Sequence, residues 1–195
     1  MHQHGGMPRP GQVLLAAPTL PEPFDRAVIY MVEHDESGAL GIVLNTPSTL
    51  DVAEILPQWR SIVTGEPVVY AGGPVAVDTA LALGVLQRDT ATDAAGELPG
   101  FRQVSGRWGL VDLDADALQM GDALAGMRVF AGYAGWSPGQ LDGEIAEGSW
   151  AVVDLDDPLA EVFAGDGEEQ WQRILRRQSG TLAWWVLCPR DPRWN

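Results

Sequence analysis

The chain has no lysine. All 12 of its basic residues are arginine, set against 27 aspartates and glutamates, so the formal charge is −15 over 195 residues. A surface this acidic repels phosphate backbones, and non-specific nucleic-acid affinity comes mainly from Lys and Arg on phosphates. Direct DNA binding is therefore not expected, and anionic membrane surfaces are disfavoured on the same ground. Cysteine is nearly absent. Cys188 stands alone, so no intrachain disulfide can form, which suits a reducing compartment. Of the three histidines, His2 and His4 sit in the Gly/Pro-rich start, where they could at most bind a metal ion weakly, and only His34 lies in the body of the chain. No zinc-like set of His and Cys is available, and neither a metal nor a cofactor is expected. Long apolar runs are also missing. The most apolar window, 67–86, is broken by Gly72-Gly73-Pro74 and carries Asp78; it reads as two strands around a turn and not as a membrane span. No charged stretch followed by an apolar core opens the sequence, so no secretory signal is visible. Together these absences predict a cytoplasmic protein without a membrane segment.

What is present is an ordinary globular composition, 46% hydrophobic and 20% charged. A chain of this length forms one domain that buries roughly 70% of its extended surface. Residues 1–10 read as a flexible N-terminus, 11–188 as a single domain and 189–195 as a polar tail. Apolar runs at 12–17, 27–33, 40–44, 68–71, 79–86, 108–113, 127–133 and 150–155 predict strands, with Asp35-Glu36-Ser37-Gly38 as a hairpin loop. Helices are expected over 51–56, capped by Ser48 or Thr49, over 115–125, capped by Asp114, and over 138–147. A short helix starts at Pro158 after Asp156 and Asp157, with Leu159, Val162 and Phe163 inward. The strongest helical pattern is 168–178, with Trp171, Ile174 and Leu175 on one face and Gly180 as the stop. Residues 182–187 are a last strand or helix end, and 87–100 an exposed loop. Strands lead and helices are interspersed, which predicts a mixed α+β domain whose sheet curls on itself with helices packed outside.

One stretch, from Val129 to Glu144, stands out. It reads as a strand ending in a glycine turn and entering a helix, with Ser137 as N-cap, Pro138 at the first helical position and Gln140 completing a capping box. Gly132, Gly135, Gly139 and Gly143 recur at spacings of three and four, so another backbone can pack closely here. Gly135-Trp136-Ser137-Pro138-Gly139 matches the letters of a nucleophile elbow, which also lies at a strand-to-helix turn. Pro138 removes the backbone N–H that an elbow uses as an oxyanion donor, and no histidine follows, so the helix-cap role of Ser137 is favoured. The phosphate-loop signatures do not fit; an anion at the helix start has only the N–H groups that Pro138 and the cap leave over.

In Glu33-His34-Asp35-Glu36 the neighbours on a strand point to opposite faces, so Glu33 and His34 do not converge on one ion. Arg26 and Glu33 can form an ion pair or line a cleft, or serve as ordinary surface residues. Cys188 has apolar neighbours and is expected to be a buried, inert thiol. Trp136, beside the glycine turn, is expected to be half-exposed and to offer a binding face.

Several blocks in one order carry a resemblance: Gly11-Gln12-Val13-Leu14-Leu15-Ala16-Ala17-Pro18, Phe24-Asp25-Arg26-Ala27-Val28-Ile29-Tyr30, Glu33-His34, Gly38 through Asn45, Gly72-Gly73-Pro74-Val75, and Gly132-Tyr133-Ala134-Gly135-Trp136 with Gly139-Gln140-Leu141 and Glu144. From about residue 11 to 188 the chain resembles the YqgE/AlgH family of bacterial proteins. It departs at Ala27, where the family often has serine, and carries Asp142 as the acidic residue after Gly-Gln-Leu. The resemblance implies an α+β fold with a forked, barrel-like mixed sheet and flanking helices. It implies little about activity: the family is largely uncharacterised, and one branch carries a transcriptional-regulator label. No helix-turn-helix pattern is visible here.

Because the family blocks concentrate polar residues at strand ends and turns, where sites usually lie, the expected binding face is Arg26, Glu33, His34, Asn45, Tyr133, Trp136, Gln140 and Glu144. The expectation is a non-catalytic protein that binds a protein partner or a small ligand in a regulatory role. The alternatives are a hydrolase-type enzyme using Glu33, His34 and Glu144, or a transcriptional regulator.

Overall fold

The computed structural model describes residues 7–90, 98–155, 158–163 and 167–189. Ten strands build one curled sheet: β1 (Val13–Ala16), β2 (Val28–Asp35), β3 (Gly38–Val43), β4 (Pro47–Asp51), β5 (Val68–Ala71), β6 (Val75–Leu86), β7 (Phe101–Ser105), β8 (Trp108–Val111), β9 (Leu124–Trp136) and β10 (Trp150–Val153). Its main path runs β10-β1-β2-β3-β9-β6-β8-β7, with β4 and β5 off that path. Five α-helices accompany it among the described residues: α1 (Val52–Ile55), α2 (Ala117–Ala123), α3 (Gln140–Ala146), α4 (Pro158–Phe163) and α5 (Glu168–Arg176), with 3-10 turns at Pro57–Trp59 and Gly180–Leu187. The fold is mixed α+β and a half-barrel, as the residue pattern and the resemblance both imply.

The fork is made by β9. One edge of this 13-residue strand pairs with β6; the other is shared by β5, in parallel at Phe130 and Ala131, and then by β3, antiparallel from Ala134 to Trp136. Where β5 leaves, the chain must cross close to β9, and glycines permit it. A Cβ on Gly73 would lie 2.1 Å from the carbonyl carbon of Tyr133, and one on Gly132 would lie 2.6 Å from the oxygen of Gly73. Of the four motif glycines, Gly132 is the one in tight contact; Gly139 and Gly143 have open space around them, so the expected close packing holds at one position and not along the whole series.

Strand alternation divides the core. In β2, Val28, Tyr30 and Val32 face a core shared with Ile42, Phe130, Trp171 and Leu175, whereas Ile29 and Met31 face Trp136, Leu141 and Trp150. A third cluster packs Val52, Trp59 and Met120 beneath Met127 and Val129.

The expected elements exist, with shifted ends. β6 and β9 are longer than their apolar runs. The cap of α1 is Asp51, whose carboxylate accepts from the Ala53 N–H at 2.8 Å, because Ser48 and Thr49 lie in β4. The cap of α2 is Asp116, not Asp114. β7 was not expected; it is an edge strand of half-exposed residues and lacks a strong apolar run. Gly180 does not end α5 but opens the last 3-10 turn with φ of 72°. Val162 is buried as expected, whereas Leu159 is exposed. Asp156 and Asp157, His2 and His4, residues 91–97 of the predicted 87–100 loop and the tail beyond Pro189 lie outside the described residues.

Candidate functional site

The distinctive glycine turn leads into a small polar staple. β9 ends at Trp136, and Ser137 to Gln140 form a turn in which Gln140 N–H donates to Ser137 O at 3.0 Å. Ser137 does not cap the helix with its side chain. Gly139, with left-handed φ of 71°, holds the N-cap position, and the Gln140 side chain accepts from Ser137 N–H at 3.0 Å. That is the backward half of the expected capping box. The same helix carries Glu144, whose Oε2 accepts both indole N–H groups, from Trp136 at 2.9 Å and Trp150 at 2.7 Å. Its Oε1 accepts from Gln140 at 2.8 Å. The two indoles meet edge to face at 6.0 Å, and Phe24 packs on Trp150 at 5.5 Å. Trp136 is thus buried, 7% exposed, and not the half-exposed face expected of it. Its indole needed a polar partner once inside the core, and Glu144 supplies it.

The Glu33–His34 pair splits as strand alternation requires. Glu33 pairs with Arg102 of β7. His34 points the other way, its Nδ1 2.8 Å from Pro8 O and its Nε2 3.5 Å from Asp142 of α3. Tyr133 is half-buried opposite Val75. Among the described residues no group of three or more His, Cys, Asp or Glu is placed to hold a metal ion.

Arg26 and Asn45 form a second hub at the opposite end of β2. Asn45 accepts from Val28 N–H at 2.9 Å and donates to the carbonyls of Arg26 at 2.9 Å and Gly167 at 3.0 Å. Arg26 is 3% exposed, has a left-handed backbone with φ of 52°, and stacks its guanidinium 4.9 Å from the Trp171 ring. It lies 3.9 Å from Asp25 and donates to the carbonyl of Cys188 at 2.9 Å. Arg26 does not pair with Glu33. Six residues of extended chain separate Val28 from His34, about 20 Å, so the eight expected residues do not share one face. They form two internal hubs and separate strand-end contacts.

Between the hubs the surface opens into a cleft of about 740 Å³. One wall is the turn from Ala17 to Glu22, braced by Leu20 N–H to Ala17 O at 3.0 Å and by Phe24 N–H to Pro21 O at 3.0 Å. Pro18 and Pro21 fix the φ of this wall, so little ordering remains for a ligand to impose. The facing wall is the C-terminal segment, with Trp185 and Cys188. Gly148 closes the end beside α3, where Ser149 N–H donates to Glu144 O at 2.9 Å and Ser149 O accepts from Ala17 N–H at 2.9 Å. Each hub therefore sets one boundary: Arg26 holds the backbone of Cys188, and the Glu144 helix holds Gly148. Cys188 is exposed on this cleft and not buried. Clefts beside α2 and β8, about 300 and 360 Å³, are smaller.

Sequence reasoning missed this cleft and two buried charges. Arg128 of β9 donates to Val162 O at 2.8 Å and stacks 4.0 Å from the Tyr70 ring, docking α4 on the sheet. Glu161 pairs with Arg173 and Arg177, joining α4 to α5. The proline-rich 17–23 segment was the one visible signal for the cleft, as a stiff loop beside a strand end.

Fold and cleft define the class: a small α+β half-barrel with a preformed cleft between its first turn and its C-terminal segment. The chain belongs to the AlgH-like family, DUF179, which matches residues 13–183. It is 45% identical over 187 residues to a UPF0301 protein of Streptomyces avermitilis, covering 95% of this chain and 94% of that one. The fold is similar to that of a Corynebacterium diphtheriae protein solved by X-ray crystallography, with TM-score 0.86 and 34% identity over 95% of this chain and 94% of the other. It is also similar to the AlgH protein of Pseudomonas aeruginosa in solution, with TM-score 0.65 and 27% identity over 97% and 98% of the two chains. No described helix is long and apolar enough to cross a membrane.

Proposed function

We propose that this chain is a non-catalytic cytosolic binding protein whose 17–22/185–189 cleft takes a small ligand, with a regulatory consequence for the cell. The observation that carries the reading is the cleft itself: about 740 Å³, within the usual range for ligand sites, and walled by proline-stiffened backbone. The commitment of the polar candidates supports a non-catalytic role. Glu144 accepts three hydrogen bonds, and Asn45 makes three; a general base needs a carboxylate free to reach a substrate proton. The charge of −15 favours a ligand other than a phosphate backbone, which argues against direct promoter binding.

A thermal-shift screen of small metabolites tests this, run on the wild type and on Thr19→Trp. Thr19 is an exposed residue of the cleft wall, so the added indole fills the cleft without removing core packing. Compounds that stabilise the wild type and not Thr19→Trp are expected. A screen without a stabilising compound, or one whose hits act equally on both proteins, rejects the reading.

A further inference from the structure

We infer that the open start of β6 is a docking edge, to which a partner protein adds an extended segment bearing a basic residue. This surface is separate from the cleft. Val75 to Thr79 belong to a strand, yet all of them are exposed. β6 pairs with β9 at Val75, opposite Tyr133, and next at Ala80, opposite Ala131. Ala76, Val77, Asp78 and Thr79 therefore stand against Gly132 alone, as an enlarged bulge. On the outer side, β8 pairs with β6 only from Leu83 to Val85, so no strand lies beside residues 75–79 among the described residues. An edge of this kind offers backbone N–H and C=O groups to an incoming strand.

The bulge has a fixed and uncommon shape. Ala76 holds a left-handed φ of 47°, a conformation that costs an L-residue energy and gathers at functional sites. Gly132 lets the bulge lie on β9: a Cβ there would be 2.7 Å from Val75 O and 3.2 Å from Val77 Cα. The side chains presented are apolar, with Val77 64% and Val75 38% exposed. Val75 and the Tyr133 ring border exposed Gly135, at 3.8 and 3.5 Å from where its Cβ would be. The blocks Gly72-Gly73-Pro74-Val75 and Gly132 to Trp136 thus meet at this edge.

Charge selects the partner. Asp78 is exposed and is the only charged residue from 68 to 87. Across a strand pair it favours Lys or Arg and opposes Asp or Glu. A second copy is disfavoured, because each copy brings its own Asp78 and a charge of −15. The residue that guards the edge against self-pairing therefore also selects a basic strand.

The test titrates the full-length protein with the peptide Thr-Val-Lys-Val-Thr-Val and with the same peptide carrying Glu in place of Lys. Binding is followed by nuclear magnetic resonance, reading amide exchange at residues 76–79. The Lys peptide is expected to slow exchange there, to bind at least ~3-fold more tightly than the Glu peptide, and to weaken with added salt. In Asp78→Lys the preference is expected to reverse, and Val77→Ser is expected to weaken both peptides by about two- to threefold. Asp78 and Val77 are exposed, so both substitutions leave the fold intact. Thr19→Trp is expected to bind the peptides like the wild type, which keeps this edge and the cleft separately testable. Equal binding of the two peptides, or a preference that survives Asp78→Lys, overturns the basic-strand assignment. No slowing at 76–79 with either peptide overturns the docking edge. Slowing that grows with protein concentration alone assigns the edge to a second copy and overturns the partner.

Discussion

The guanidinium of Arg26 donates to the carbonyl of Cys188 at 2.9 Å and so ties residues 162 positions apart. The bond sets the distance between the first turn and the C-terminal segment, and that distance is the width of the cleft. Removing it by Arg26→Ala is expected to cost about 2–3 kcal/mol, from a charged hydrogen bond and the stacking on Trp171, and to lower Tm by roughly 5–10 °C. Arg26→Gly is expected to recover part of that loss, because the backbone there is left-handed. Circular-dichroism melts of the two variants separate side-chain loss from backbone strain; equal melting of both with the wild type would show that the tie contributes nothing.

Glu144 joins two indoles. Glu144→Ala leaves both indole N–H groups without an acceptor and is expected to destabilise by about 2–4 kcal/mol, whereas Glu144→Gln keeps one carbonyl oxygen in place and costs about 1 kcal/mol. Near-ultraviolet dichroism should change strongly in the alanine variant, since Trp136 and Trp150 meet edge to face. If the two substitutions are equally mild in urea unfolding, the carboxylate is not a staple.

Two glycines should behave in opposite ways. Gly73 has φ of 150° and backbone atoms of Tyr133 and Ala134 within 2.4 Å of where a Cβ would be, so Gly73→Ala is expected to cost more than ~4 kcal/mol or to abolish soluble expression. Gly143 lies inside α3 with open space around it, so Gly143→Ala is expected to stabilise by about 0.5–1 kcal/mol. Paired melting curves decide it: a tolerated Gly73→Ala would mean that β5 and β9 do not cross this closely.

Tyr30 predicts alkaline behaviour. Burial pushes its phenol above the ordinary value of 10.0, so the folded protein keeps it neutral where the unfolded chain ionises. The stability linked to it is complete below the unfolded value and is lost as pH rises above about 10. Its hydroxyl has no hydrogen-bond partner among the described residues. Tyr30→Phe is therefore expected to match or exceed wild-type stability at pH 7, by up to ~1 kcal/mol, and to fall less steeply above pH 10. Urea unfolding at the two pH values measures both; a large loss at pH 7 would reveal a bond to the hydroxyl.

Local chemistry made most of the elements legible. The apolar runs of β1, β2, β3, β5 and β10 are buried strands, and the spacing of Trp171, Ile174 and Leu175 identified the inner face of α5. The polar candidates were legible as a set but not as an arrangement. Glu144, Trp136 and Gln140 come together because they sit within one strand-to-helix turn. Arg26 and His34 cannot join them on one face, because β2 is extended and carries them apart.

The sequence by itself determined the α+β class, the acidic character and the glycine turn, since each depends on neighbours along the chain: side-chain period, charge count and the φ that glycine permits. Only the tertiary structure decided which side chains face water. Arg128 lies in β9 between two buried apolar residues and alternates like a solvent-facing residue, yet it is buried under α4. Cys188 follows an apolar run yet lies open to the cleft. Burial of a polar group depends on whether a distant segment supplies its hydrogen bonds, and the partners of Arg128, Arg26 and Trp171 are 34, 162 and 155 positions away. The glycine turn, distinctive in one dimension, is in three dimensions the internal brace of a cleft built elsewhere.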